Sequence, residues 1–347
     1  MPAMSTDYAI RTALPEDREE LGDLIDAAFV QDGFRCRARL PHLFTAERIG
    51  EHRVASADGR LVGCVGCYSV ELRVDGMAFT AAGIGQVVTA PAQRGSGVMR
   101  QLMEATCAHA EDFDLLWLHG DHQRYARFGF APGGLTWEMD TAHRYLPAAP
   151  GSTRQATSAA DWRLVAAAAR RQRVHLEVAD QDFAEIMRAR DCSAWLGDGA
   201  VAMSYQGAHR IVLCDGEPEA LAGLFADILA DIQRGDPARQ TLNVRLDPAD
   251  ARTPALLRCF QHDVRGLPSG SFRVGSARTL AAKLTALAHA AGDIERAQLI
   301  SRAFDVAYGD DYARAQRVFG LSPGWAGWAS PTQACLLPLS LPPGSWV

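Results

Sequence analysis

Residues 83–103 read GIGQVVTAPAQRGSGVMRQLM, and residues 117–130 read WLHGDHQRYARFGF. The run from Gln86 to Thr89 is β-prone, and Pro91 lacks the N–H that a sheet ladder needs, so a strand ends near Ala90. Gln93-Arg94-Gly95-Ser96-Gly97 then forms a glycine-rich turn. From Val98 the apolar positions continue through Leu102, Met103, Thr106 and Ala110, while Arg100, Gln101 and Glu104 take the polar side. That spacing predicts one amphipathic helix of about three turns. The first amides of a helix have no intrahelical partner, and glycines let the backbone approach an anion closely. Such a turn holds a diphosphate through N–H groups and the helix dipole, and Arg94 adds a bidentate fork. An ordinary strand–turn–helix connection is the competing reading of the same glycines.

Spacing excludes two other phosphate motifs. A Walker loop needs Gly-Lys followed by Ser or Thr, yet Val98 follows Gly97 and the chain's single lysine is Lys283. A dinucleotide fingerprint needs a third glycine where Arg100 stands, and the pair Gly83 and Gly85 lies before its strand rather than after it.

Two segments together carry a resemblance. Val87-Val88-Thr89-x-Pro91-x-x-Arg94-Gly95-x-Gly97-Val98 and Gly120-Asp121-x-x-x-Tyr125-x-Arg127-Phe128-Gly129-Phe130 resemble the GNAT superfamily of acyl-CoA-dependent N-acyltransferases. The first is similar to that superfamily's pyrophosphate loop, with Met99 where a small residue is usual. A strand over 8–13, a helix over 15–29, a strand over 59–70 and a hairpin turn at Val74-Asp75-Gly76-Met77 extend the likeness over roughly the first 145 residues. The hairpin, the segment after it and the extra length resemble the enhanced-intracellular-survival-type branch. Members of that branch carry a second GNAT-like domain without a cofactor loop and a C-terminal region similar to sterol carrier protein.

The resemblance implies an α/β fold with mixed sheets in three parts. These are a catalytic GNAT domain over 1–150, a degenerate GNAT-like domain over 151–277, and a short helical tail region over 278–347 that is a reduced sterol-carrier-like unit at most. Within the second part, strand and helix patterns alternate over 200–206, 209–214, 217–234, 241–245 and 254–262, with no Gly-x-Gly turn.

By the same resemblance, the activity is transfer of an acetyl group from acetyl-CoA, a cosubstrate, to a primary amine of a small molecule or peptide. The amine attacks directly in a ternary complex, and no metal takes part. Val87, Val88 and Thr89 offer backbone groups to the pantetheine arm, and Arg94, Gly95, Ser96, Gly97, Val98 and Met99 hold the pyrophosphate. Tyr125 is the general acid for the leaving thiolate; the competing reading packs it against Phe128 and Phe130. In the resembling branch the terminal carboxylate reaches the active site, which makes Val347 the candidate base. A docked structural tail is the alternative. Glu71 is a weaker base candidate, more often a solvated strand residue, and His119, Asp121 and His122 are too close in sequence to argue a metal site. Residues 30–44, with Phe29, Phe34, Arg35, Arg37 and Phe44, form either an acceptor-side wall or core filler. The branch also implies a homo-oligomer.

Composition bounds these expectations. At 347 residues the chain holds two or three domains, and its net charge of −6 argues against a nucleic-acid binder while mildly attracting amines. No apolar run approaches a membrane span and the N-terminus lacks a secretory pattern, so a cytoplasmic location is expected, with eight scattered cysteines as buried thiols. Lysine self-acetylation has one target, Lys283. An acyl-CoA-binding regulator or scaffold that has lost turnover is the competing function, and a lipid-binding C-terminal region is a third.

Overall fold

The computed structural model describes residues 8–30, 35–205, 209–260 and 263–305. Strand β1 (Ala9–Thr12) leads through a 3-10 turn into helix α1 (Arg18–Phe29). Asp17 ties that entry down: its carboxylate accepts from Arg11 at 2.5 and 2.8 Å and from the Leu14 amide at 2.7 Å. After the one-turn α2 (Cys36–Arg39) come β2 (His52–Ala57), β3 (Arg60–Val74) and β4 (Met77–Thr89). Asp75 and Gly76, at φ 48° and 82°, close the β3–β4 hairpin in the left-handed conformations that match strand twist. Helix α3 (Val98–His109) starts and ends as its apolar spacing predicts, and β5 (Leu115–Leu118) follows. The segment around Tyr125 is a short helix α4 (His122–Ala126), whose start the Asp121 carboxylate caps by accepting from the Gln123 amide at 3.0 Å. Strand β6 (Ala131–Gly133) ends this region.

The chain continues through β7 (Thr136–Thr141), β8 (Arg154–Gln155), α5 (Ala159–Arg170), β9 (Val174–Leu176), α6 (Asp180–Ala189), β10 (Ser193–Gly197) and β11 (Ala200–Ser204). Then come β12 (Arg210–Gly216), α7 (Pro218–Gly235), β13 (Leu242–Leu246), α8 (Thr253–Leu256), β14 (Val264–Leu267), β15 (Gly270–Val274), α9 (Ala277–Ala290) and α10 (Ile294–Asp305). The helix expected over 254–262 is only the single turn α8 with a 3-10 turn after it; residues 261–262 lie outside the described residues.

Two mixed sheets result. The first runs β1-β2-β3-β4-β5-β15-β6, with β9 on the far part of β3; the second runs β8-β10-β11-β12-β13-β7-β14. Both follow one plan: five strands from their own half, a sixth from the other half, a seventh of their own. Each also has one parallel step, β4 with β5 and β12 with β13. The second half is therefore a topological copy of the first, and β12 enters α7 through Gly216-Glu217-Pro218 without a glycine pair. Sheet pairing crosses residue 150: β7 pairs with β13 and β14, and β15 with β5 and β6. Side chains drive the exchange. Phe272 of β15 is fully buried among Leu115 and Trp117 of the first half and Leu280 of α9, and Met139 of β7 among Phe225, Val244 and Leu242 in the second half.

Helix α3 covers one face of the first sheet through Val98, Leu102 and Met103; α1 covers the opposite face through Leu21 and Ile25. Helix α9 is bolted to the sheet by an ion pair, Lys283 Nζ to Asp114 Oδ2 at 2.6 Å, and the same oxygen accepts from the Thr80 amide at 2.7 Å. The seven described cysteines are all buried, and no helix among the described residues is long and apolar enough to cross a membrane.

Candidate functional site

The site begins where β4 leaves β5. Their parallel pairing is confined to Ala81 with Leu115, Ala82 with Leu116 and Gly83 with Trp117. Beyond it β4 bends at Gln86, whose φ of 50° is unusual for a residue with a side chain, and the β3–β4 register shifts between Cys64 and Gly66. Val88 and Thr89 then pair with Cys64 and Gly63 of β3, and among the described residues no strand pairs with the opposite edge of β4. The result is a cleft with unpaired backbone on its β4 side.

A buried polar group holds the bend. Tyr68 donates to Gln86 Oε1 at 2.5 Å, and His52 Nε2 lies 2.8 Å from both Gln86 Oε1 and the Tyr68 hydroxyl. Burial lowers the His52 pKa and pushes the Tyr68 phenol well up, so both stay neutral. Gly66 makes room, since a Cβ there would sit 2.2 Å from the Tyr68 hydroxyl.

The strand ends in the phosphate-type turn. Gly95 and Gly97 take φ 82° and 91°, in the left-handed region that only glycine adopts freely. Gly97 is the N-cap of α3 and brings no side-chain acceptor, so among the described residues no side chain caps the first amides of α3. Beside them lies a cavity of about 870 Å³, walled by Phe29, Val87–Thr89, the turn and α4. Arg94, Arg100, Arg124 and Arg127 all line it, and among the described residues no acidic one does. Met99 is no obstacle: it lies on this wall with its sulfur 3.9 Å from the Arg127 guanidinium. Arg94 was legible in the sequence. Arg100 was masked by the polar face of a helix; the other two flank Tyr125 in the run HQRYAR, whose lack of any acid was the available signal.

Tyr125 is buried, packs edge-on to Phe130 with ring centroids 6.4 Å apart, and shares a core cluster with Val98, Leu118 and Phe128. Burial raises its pKa above the ordinary phenol value, so it is protonated at neutral pH. Its ring fits tightly against Gly120, where a Cβ would meet Cε2 at 2.9 Å. Tyr125 does not line the arginine cavity, although Arg124 and Arg127 of the same turn do.

The remaining candidates fall elsewhere. Glu71 is half exposed and paired with Arg73 at 2.6 Å. Asp121 caps α4 and His122 is exposed. His119 is pushed down to about 4, first by burial and then by Arg245 and Arg190. It lines a separate cavity of about 170 Å³ at the seam between the two halves, with Tyr205, Arg245 and Asp247. Among the described residues no group of three or more His, Cys, Asp or Glu is placed to hold a metal. Phe44 is core, packed with Leu43 and Tyr68. Val347 and residues 31–34 lie outside the described residues.

Residues 9–133 match the family described as the acetyltransferase (GNAT) domain. The chain carries a GNAT domain. Solved structures extend the likeness of fold past that GNAT domain into the second half. At 18% identity and a TM-score of 0.61, 80% of the chain aligns with 75% of a conserved protein of unknown function from Enterococcus faecalis V583. A GCN5-related N-acetyltransferase from Kribbella flavida aligns at 18% identity and TM-score 0.58, over 79% of this chain and 72% of that one. Eis1 from Mycobacterium abscessus aligns at 16% identity and TM-score 0.54, over 80% and 76%. No curated protein matches by sequence.

Proposed function

We propose that the protein is an acyl-CoA-dependent N-acetyltransferase that moves an acetyl group from acetyl-CoA to a primary amine of a small molecule or peptide. The observation that carries this reading is the cleft between β4 and β5, opening directly onto the Gly95–Gly97 turn, the first α3 amides and the arginine-lined cavity. In this reading the diphosphate lies on the turn and Arg94, and the pantetheine arm follows the unpaired edge of β4 past Val87, Val88 and Thr89. The amine attacks the thioester carbonyl, the C–S bond breaks, and Tyr125 gives its proton to the departing thiolate. The amine's own proton leaves to a base, for which the carboxylate of Val347 is our assignment. The protein works in this reading as one tandem unit, its second half shaping the acceptor side.

One observation favours a second reading. The Tyr125 ring is packed into the core, as a tyrosine kept for packing alone would be, and an acyl-CoA-binding regulator without turnover would keep the same turn and cavity. Thiol release from acetyl-CoA across a panel of amines, aminoglycosides and peptide N-termini separates the two. Release that depends on one amine class supports the transferase; tight CoA binding with no release under any amine supports the regulator.

A further inference from the structure

We infer that Arg124 and Arg127 form a subsite for the 3′-phosphate of coenzyme A, so that the protein selects the cofactor over its 3′-dephospho form. This rests on the acyl-CoA reading above. The argument is one of charge and place. The turn and α3 supply their own cradle for a diphosphate: the amides from Gly97 onward and the Arg94 guanidinium. Arg124 comes from a different element, α4, and Arg127 is that helix's C-cap; both face the same cavity. None of the four cavity arginines forms an ion pair with a described acidic side chain, although the chain as a whole carries a net charge of −6. Four like charges around one mouth repel one another, and a diphosphate of about two negative charges leaves that repulsion half compensated. A phosphomonoester adds about 1.5 to 2 more negative charges near neutral pH, which closes the balance.

Arg127 is also held in place before any ligand arrives. Its guanidinium stacks 4.9 Å over the Phe128 ring and touches the Met99 sulfur at 3.9 Å, which fixes it beside the first turn of α3. A planar donor fork anchored by stacking loses little freedom when it takes two phosphate oxygens. The cavity, at about 870 Å³, exceeds what a diphosphate fills and leaves room for the ribose that carries the third phosphate.

Calorimetry with coenzyme A and 3′-dephospho-CoA at one fixed ionic strength tests the assignment on the full-length protein. Wild type is expected to bind coenzyme A about ten- to a hundredfold more tightly than the dephospho form. Arg127→Ala and Arg124→Ala should each weaken coenzyme A and leave 3′-dephospho-CoA unchanged, while Arg127→Lys retains part of the preference. Equal affinity of wild type for the two ligands overturns the subsite, as does an equal loss of both ligands in Arg127→Ala. Failure of folded wild type to bind either ligand overturns the acyl-CoA reading itself, and the subsite with it.

Discussion

Phe272 of β15 lies in antiparallel register opposite Trp117 of β5, although every strand of the second sheet after β6 lies between them in the chain. Both rings are fully buried in one core. The first sheet is thus completed by a strand from the end of the second half, and the second sheet by β7, from the end of the first. Residues 1–150 alone should therefore fail to fold, since β5 would present an unpaired hydrophobic edge. The expected outcome is no cooperative thermal transition for that fragment, a single transition for the full chain, and a loss of about 3–5 kcal/mol for Phe272→Ala in denaturant titrations.

The bend at Gln86 depends on its buried partners. Tyr68→Phe removes the hydroxyl that donates to Gln86 Oε1, and a buried acceptor left short costs about 1–3 kcal/mol. Because the bend directs Val87–Thr89 into the cleft, acyl transfer should fall further than CoA affinity does. Paired melting curves and calorimetry check both halves of this expectation.

Tyr125→Phe should lower kcat by about 10²-fold or more with little change in cofactor affinity. The pH dependence follows from burial. A phenol whose pKa is raised stays protonated below that value, so an acid role is retained through neutral pH and lost only as pH rises past the ordinary phenol range near about 10. A descending kcat limb between pH 7 and 9 that vanishes in Tyr125→Phe would contradict this.

Lys283 is expected to escape self-acylation. Its ammonium is engaged by Asp114, whose side chain is 1% exposed, and a protonated amine in an ion pair is no nucleophile. Mass spectrometry after long incubation with acetyl-CoA should find Lys283 unmodified. Lys283→Met strands the Asp114 charge and should cost about 2–3 kcal/mol, less than a fully buried pair because the lysine is partly exposed.

Much of the first half was legible before any coordinates. The Pro91 stop, the Gly95 and Gly97 pair, the α3 stripe from Val98 and the Asp75-Gly76 hairpin are local features, each dictated by one residue's backbone freedom or by the helical period. The five-residue helix around Tyr125 is too short to show periodicity, and only the Asp121 cap betrays it. The cavity arginines were hidden for a different reason: Arg100 and Arg124 look like ordinary solvated charges until α3 and α4 bring them to one mouth.

The sequence by itself determined the local units of this protein: which stretches become strands and helices, where the phosphate-type turn lies, and that the second half lacks such a turn. These follow from side-chain period, glycine and proline, all of which act within a few residues. Only the tertiary structure decided that β7 and β15 trade sheets, that His52 and Tyr68 converge on Gln86, and that four arginines share one cavity. An apolar strand such as β15 carries no mark of which sheet will take it. Its partner is selected by the volume and burial that Trp117 and Phe272 find together, a condition met only when the whole chain is packed.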